Sequence, residues 1–284
     1  MFRRTAFIAI ALAPLTSFAQ PPASPANPAP VRFKWQANQT LTYKVAHQTV
    51  VRETTLDEKT EKPVTTEART NLTLVKKWTV KSVDANGVGT LEMTITEMKN
   101  EFRRTDGSTI VRDSANPEHA KEMVGFLNVP VVSVKVDSQG KLLEVKESKA
   151  GSAVRLHAEL PFRLTLPETG PTVGQKWDRT FVLKLDPPLG TGESYEYTQQ
   201  YACTSLKDGL LVADVTTTLK APPKTLAERV PLVPMLYTGQ IYFNTAAGKF
   251  HAARLKVKAE LPNHQGEGTK FEYESVYNED AVEK

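Results

Sequence analysis

Apolar and polar residues alternate with period two along most of the chain from residue 40 onward, the pattern of strands with one buried face. Leu41, Tyr43, Val45 and Val51 share one phase, opposite Thr42, Lys44, Gln48 and Arg52. Leu72, Leu74, Trp78 and Val80 repeat it. Asp84-Ala85-Asn86-Gly87 then supplies a turn whose Asn-Gly pair tolerates positive φ. The chain returns through Leu91, Met93 and Ile95, so residues 68–98 read as a hairpin. Further strands are expected at 131–136, 141–146, 180–186, 194–206, 209–220, 237–243, 250–261 and 269–278. In 250–261 the split is clean, with Ala253, Leu255, Val257, Ala259 and Leu261 against Arg254, Lys256, Lys258 and Glu260. One-sided alternation of this kind favours antiparallel sheet with one solvated face.

Helical signals are few. Asn116 is placed to cap a helix that begins with Pro117 and Glu118, with Ala120, Met123, Val124 and Leu127 as its apolar stripe. A second short helix is expected from Ser152 to Leu160, stopped by Pro161. Two short helices do not supply the crossovers of a parallel sheet. The predicted class is mainly β, with antiparallel, strongly curved sheets in a sandwich or half-barrel-like arrangement.

Two local patterns occur twice in the same order. Asn38-Gln39-Thr40-Leu41-Thr42-Tyr43 is similar to Gly174-Gln175-Lys176-Trp177-Asp178-Arg179, a turn opening a long strand. Val134 to Leu142 and Ile241 to Phe250 both read strand, Asp or Asn, short turn, glycine, lysine, apolar strand. Duplication of a β unit and chance recurrence of a common hairpin pattern both account for this. A duplication places a first half at 32–160 and a second at 161–284.

The runs Leu166-Pro167-Glu168 … Val173-Gly174-Gln175-Lys176-Trp177 and Gly239-Gln240-Ile241-Tyr242-Phe243-Asn244 … Gly248-Lys249-Phe250 resemble a group of bacterial exported proteins of unknown function. That group has an LP…VGxxW … GxxxFxxxxGxx layout after a signal peptide. The resemblance covers roughly residues 32–280 and implies export and a β-rich fold. It carries over no catalytic residues.

The amino terminus adds localisation. Arg3 and Arg4 form a basic start, Ala6 to Leu15 a short apolar run, and Ser17-Phe18-Ala19 a small-residue cleavage pattern, together a signal peptide over residues 1–19. Residues 20–31 are Pro/Ala-rich and read as an extended linker. The expected location is periplasmic or extracellular. No later apolar stretch reaches the length of a membrane span. The formal net charge is only +4 over 284 residues, and Arg3 and Arg4 supply two of it. That balance argues against nucleic acid as a partner. The one cysteine, Cys203, excludes an internal disulfide and any multi-cysteine metal site, and reads as a small buried residue.

Catalytic signatures are sparse. There is no G-x-S-x-G elbow, and His47, His119, His157, His251 and His264 lack metal-binding spacing. Asp113, Asn116 and Glu118 cluster oxygens, which a helix start also demands for capping. Gly190-Thr191-Gly192 precedes a strand and reads as a hairpin loop rather than a phosphate loop. Lys99, Arg103, Arg104 and Arg112 flank the Asp106-Gly107 turn and read as a solvated hairpin edge. No catalytic residue, metal or cofactor is expected.

The segment Val230 to Tyr237 (VPLVPMLY) stands apart, being strongly apolar while Pro231 and Pro234 disfavour regular structure. Such a segment must cover something apolar. Val230, Leu232, Val233, Met235, Leu236 and Tyr237 are therefore the candidate apolar lid of a ligand cavity; capping the end of an ordinary core is the alternative. The functional expectation is a non-catalytic exported binding protein for an apolar or amphiphilic, lipid-like ligand. A structural or protein-interaction module of the cell envelope is the second reading, and an exported hydrolase a third.

Overall fold

The computed structural model describes residues 29–149, 151–187 and 189–282. The predicted signal peptide, residues 1–19, and the start of the predicted linker, residues 20–28, lie outside the described residues.

Among the described residues twelve strands form, eleven in regions the alternation marked; the short strand Thr109–Asp113 lies outside them. The first six are β1 (Thr40–Leu56), β2 (Pro63–Val83), β3 (Gly89–Arg103), β4 (Thr109–Asp113), β5 (Pro130–Val136) and β6 (Leu142–Ser148). The second six are β7 (Lys176–Lys184), β8 (Ser194–Lys207), β9 (Leu210–Leu219), β10 (Thr238–Asn244), β11 (Lys249–Pro262) and β12 (Lys270–Ala281). All belong to one antiparallel sheet in the order β6-β5-β3-β2-β1-β12-β11-β10-β9-β8-β7, with β4 added on β3. The first six strands run outward from the centre and the last six run inward from the other edge. The chain's first and last strands therefore meet in the middle, with Tyr43 opposite Ala281 and Thr54 opposite Lys270. A single sheet replaces the sandwich alternative.

The sheet is not closed, because β6 and β7 do not pair. Yet helix α2 (Ala153–Glu159) touches both of these edge strands. The sheet therefore curls into a trough with α2 across its gap, as the cumulative twist of so many strands favours. Ser152 caps α2 by accepting from the Arg155 N–H. The earlier helix, α1 (Pro117–Glu122), has the expected Asn116 cap on the Glu118 N–H but is shorter than its apolar stripe suggested. It ends at Glu122, so Met123 is buried from a turn and Val124 is exposed. Asp113 likewise spends an oxygen on the Ala115 N–H.

A one-turn helix, α3 (Leu226–Arg229), runs into a 3-10 helix over Val230–Met235. The segment expected to be irregular is thus wound, and the tighter 3-10 turn accommodates Pro231 at its start.

The two similar turns found in the sequence hold the entering chain between them. Phe33 donates its N–H to the Ser138 carbonyl in the β5–β6 turn, and Lys34 donates its N–H to the Gly248 carbonyl in the β10–β11 turn. Gly140 and Gly248 both have positive φ, and a Cβ on either would fall within 2.6 Å of Phe33 or 2.4 Å of Lys34.

Inside the trough, Phe162 from the α2–β7 connection is the hub of the core. Its ring lies 5.5–6.2 Å from those of Phe33, Trp35, Tyr43, Trp78 and Phe250. Leu160, Leu164 and Leu166 of the same connection are also buried, so this segment plugs much of the concave face. Burying one such ring contributes about 1.5–3 kcal/mol.

Candidate ligand-binding site

The inward phase of the central strands is interrupted by polar residues. In β1, β2 and β12 these are His47, Lys76, Ser275, Tyr277 and Glu279. Register brings them together, since Val45 pairs with both Leu74 and Glu279 while Tyr43 pairs with Lys76. Lys76 Nζ lies 2.7 Å from Glu279 Oε1, and the Tyr277 hydroxyl donates to Glu279 Oε2 at 2.5 Å. Burial, then the Glu279 carboxylate, pushes the Tyr277 phenol well above its ordinary value. His47 Nε2 and Ser275 Oγ are 2.8 Å apart.

Helix α2 and the connection that follows it supply the opposing charges. Glu159 is bridged by two arginines, with Arg155 Nε donating at 2.8 Å and an Arg163 terminal nitrogen at 3.1 Å. Arg163 also stands over the Tyr277 ring at 4.7 Å. Burial disfavours the Glu159 carboxylate, but Arg163 and Arg155 outweigh it and hold its pKa below the usual range. Burial, then the Arg163 charge, lowers His47. Leu160 and Arg163 both adopt φ 57°, a conformation rare for residues with a Cβ. These two strained residues flank the stretch that aims Phe162 into the core while Arg163 reaches Tyr277.

A second network anchors the helix. Gln199 Oε1 accepts from Arg179 Nε at 2.8 Å and from the Tyr201 hydroxyl at 2.5 Å. Gln199 Nε2 donates to Thr217 Oγ1 and to the Tyr237 hydroxyl. The terminal nitrogens of Arg179 donate to the His157 and Ala158 carbonyls at the end of α2, where a cation also suits the helix dipole.

Between α2 and β1–β3 lies a cavity of about 340 Å³. Val45, Leu72, Leu74, Trp78, Met93 and Ile95 form its sheet wall; Leu156 and Leu160 face them. Leu72, Leu74, Met93 and Ile95 remain only half-buried, unlike their counterparts deeper in the trough. His47, Lys76, Arg155, Glu159, Arg163 and Tyr277 complete the lining. A smaller recess of about 90 Å³ shares five of these polar residues and is closed by Pro234, Met235 and Tyr237.

The candidate lid residues divide accordingly. Met235 and Tyr237 line the recess, while Leu232 and Val233 are packed into the core, with the Tyr197 hydroxyl donating to the Leu232 carbonyl. Val230 and Leu236 pack against that core and are half-buried. The polar members of the site escaped the sequence reading. The signal that marks them is a charged or polar residue in the apolar phase of neighbouring strands: His47, Lys76 and Glu279. Cys203 is buried, which pushes its thiol pKa up.

His47 with Ser275 has the elements of a nucleophile–base pair. Acyl transfer would also need free N–H donors for an oxyanion. Ser275 lies within β12, which pairs with β1 on one side and β11 on the other, so its neighbouring backbone groups are spent on the ladder.

A separate groove of about 650 Å³ runs along the unpaired side of β7, from Trp177 to Val182, facing Lys141 and Leu142 at the start of β6. Among the described residues no group of three or more metal-ligating side chains converges, and no helix is long and apolar enough to cross a membrane.

No family model and no curated protein matches the chain. Among solved structures, one titled for lipid-protein interactions in lipovitellin aligns at 13% identity and a TM-score of 0.43. The alignment covers 87% of this chain and 25% of that one, so the chain spans about a quarter of lipovitellin's length. DynF from the dynemicin biosynthesis pathway of Micromonospora chersina aligns at 9% identity and a TM-score of 0.18, over 94% of each chain. At these TM-scores neither likeness carries weight for the fold or the site.

Proposed function

We propose that this protein is an exported, non-catalytic binding protein that holds an apolar or amphiphilic ligand in the cavity beneath α2. The observation that carries this reading is the cavity of about 340 Å³, whose apolar sheet wall is left half-buried beside a charged cluster. Its size falls at the lower end of the range for small-molecule sites, which suits a single-chain ligand. The end of the neighbouring 3-10 helix and the turn after it close the adjoining recess through Pro234, Met235 and Tyr237, a narrower role than a lid made of the whole segment. Export rests on the leader pattern ending at Ala19.

Native mass spectrometry of the exported protein, with organic extraction of bound material, tests this reading. A stoichiometric lipid-like adduct supports it. A clean mass together with failure to bind apolar probes overturns it. Sequencing the amino terminus of the exported protein tests cleavage after Ala19.

The unpaired edge of β7 favours a second reading, an envelope interaction module that accepts an extended strand from a partner. Proline substitution of Thr180 would weaken such pairing and leave uptake of a small ligand under α2 intact.

A further inference from the structure

We infer that the ligand of this cavity carries an anionic oxygen head, a single carboxylate on one apolar chain. The inference rests on the proposed binding function and specifies its chemistry. Lys76, Arg155 and Arg163 line the cavity, whereas Glu159 is the acidic residue in its lining and Glu279 stands behind Lys76. With His47 neutral, these groups leave a surplus of one positive charge. Lys256 at the adjoining recess adds to the positive side. Within a partly dehydrated pocket such a surplus favours a monoanion over a neutral or cationic head.

A second observation points the same way. Trp78 lines the cavity, is almost wholly buried, and its indole N–H has no acceptor among the described residues. Buried indole donors ordinarily find a partner. A carboxylate supplies acceptors in two directions, so one oxygen can take the Trp78 donor while the other meets a guanidinium. Arg155 is the adaptable member, with a side chain two-thirds exposed and a single recorded bond to Glu159. Arg163 is held between Glu159 and Tyr277. Arg155 is therefore the residue that swings onto an incoming head, and the half-buried wall of Leu72, Leu74 and Ile95 takes the chain.

The test compares dodecanoate, dodecanol, dodecyl phosphate and dodecyltrimethylammonium by displacement of a fluorescent apolar probe from the full exported protein. The expected result is binding of dodecanoate at least about tenfold tighter than dodecanol, the ratio one charge-assisted hydrogen bond supplies. Arg155→Gln and Trp78→Phe should each shrink that acid-to-alcohol ratio towards about one, chiefly by weakening dodecanoate. Equal binding of acid and alcohol by the unaltered protein overturns the anionic-head inference and leaves the apolar-ligand reading standing. Tighter binding of the phosphate or the ammonium compound overturns the carboxylate assignment. Failure of all four to displace the probe, with the protein folded, overturns both readings. Since Trp78→Phe removes core contacts, Arg155→Gln at an exposed position keeps the inference falsifiable if that variant unfolds.

Discussion

Lys76 and Glu279 meet at 2.7 Å inside the trough, on strands separated only by β1, although each sits in the inward phase of an otherwise apolar strand. Glu279 is fully buried, and the Tyr277 hydroxyl completes its coordination. Removing one partner of a buried pair strands the other charge and costs about 3–5 kcal/mol. Lys76→Met and Glu279→Gln should each lower unfolding stability by about that amount in urea titrations. The double variant should recover much of it, because neither charge then remains unpaired. Additive losses in the double variant would show that the two residues act separately.

Acid sensitivity follows from the groups around Arg163 and Arg179. Burial, then Arg163, lowers the pKa of His47 below its ordinary value of 6.5; burial, then Arg179, lowers His157 in the same direction. The unfolded chain therefore takes up protons first as pH falls through 6.5, and stability is lost from there down to the folded-state pKa values. Glu159 adds a second window. Its depressed pKa contributes stability present above the ordinary carboxylate value and lost as pH falls through the folded one. Thermal melts between about pH 7.5 and pH 5 should show a falling Tm, and His47→Asn should flatten that slope. An unchanged slope in the variant would remove His47 from the account.

The strands and their inward faces were legible because period-two alternation reports burial directly. Leu41, Tyr43 and Val45, or Leu255 and Val257, are buried as their phase requires. Single sheet against sandwich was not legible, because inner and outer phases look alike in both until the β1–β12 pairing is known. The charged cluster was hidden for a related reason. Lys76 and Glu279 each look like an isolated defect in one strand, and only register makes them a pair. Arg155, Glu159 and Arg163 read as ordinary helix and loop charges, since nothing local says that the helix lies across the trough gap. Within the VPLVPMLY segment, Leu232 and Val233 are packed into the core, while Pro234, Met235 and Tyr237 reach the recess, a division that the uniformly apolar run does not reveal.

The turn glycines should control how the entering chain is seated. A Cβ at Gly248 would lie 2.4 Å from Lys34 Cγ and 2.8 Å from the Lys34 backbone nitrogen, and the residue holds φ 63°. Gly248→Ala should therefore break the Lys34 N–H bond to the Gly248 carbonyl and loosen Phe33 and Trp35 from the core. The expected cost is about 1–3 kcal/mol, with faster proteolysis near residue 34. Gly174→Ala, at a turn with open space, meets only the backbone strain of φ 88° and should cost less. Limited proteolysis with urea unfolding reads both.

Filling the cavity separates binding from folding. Leu74 is half-buried on the wall facing α2, so Leu74→Trp has room to extend into the void rather than into packed neighbours. Overpacking penalties arise where no space exists, and here stability should change by less than about 1 kcal/mol. Apolar-probe affinity should fall at least about tenfold, the loss expected when a bulky ring takes the place of ligand contacts. Phe162→Ala is the opposite case. It removes the ring that five aromatic residues surround and should cost about 3–5 kcal/mol of stability. If Leu74→Trp retains full probe affinity while folded, the probe binds elsewhere and the groove along β7 becomes the site to test next.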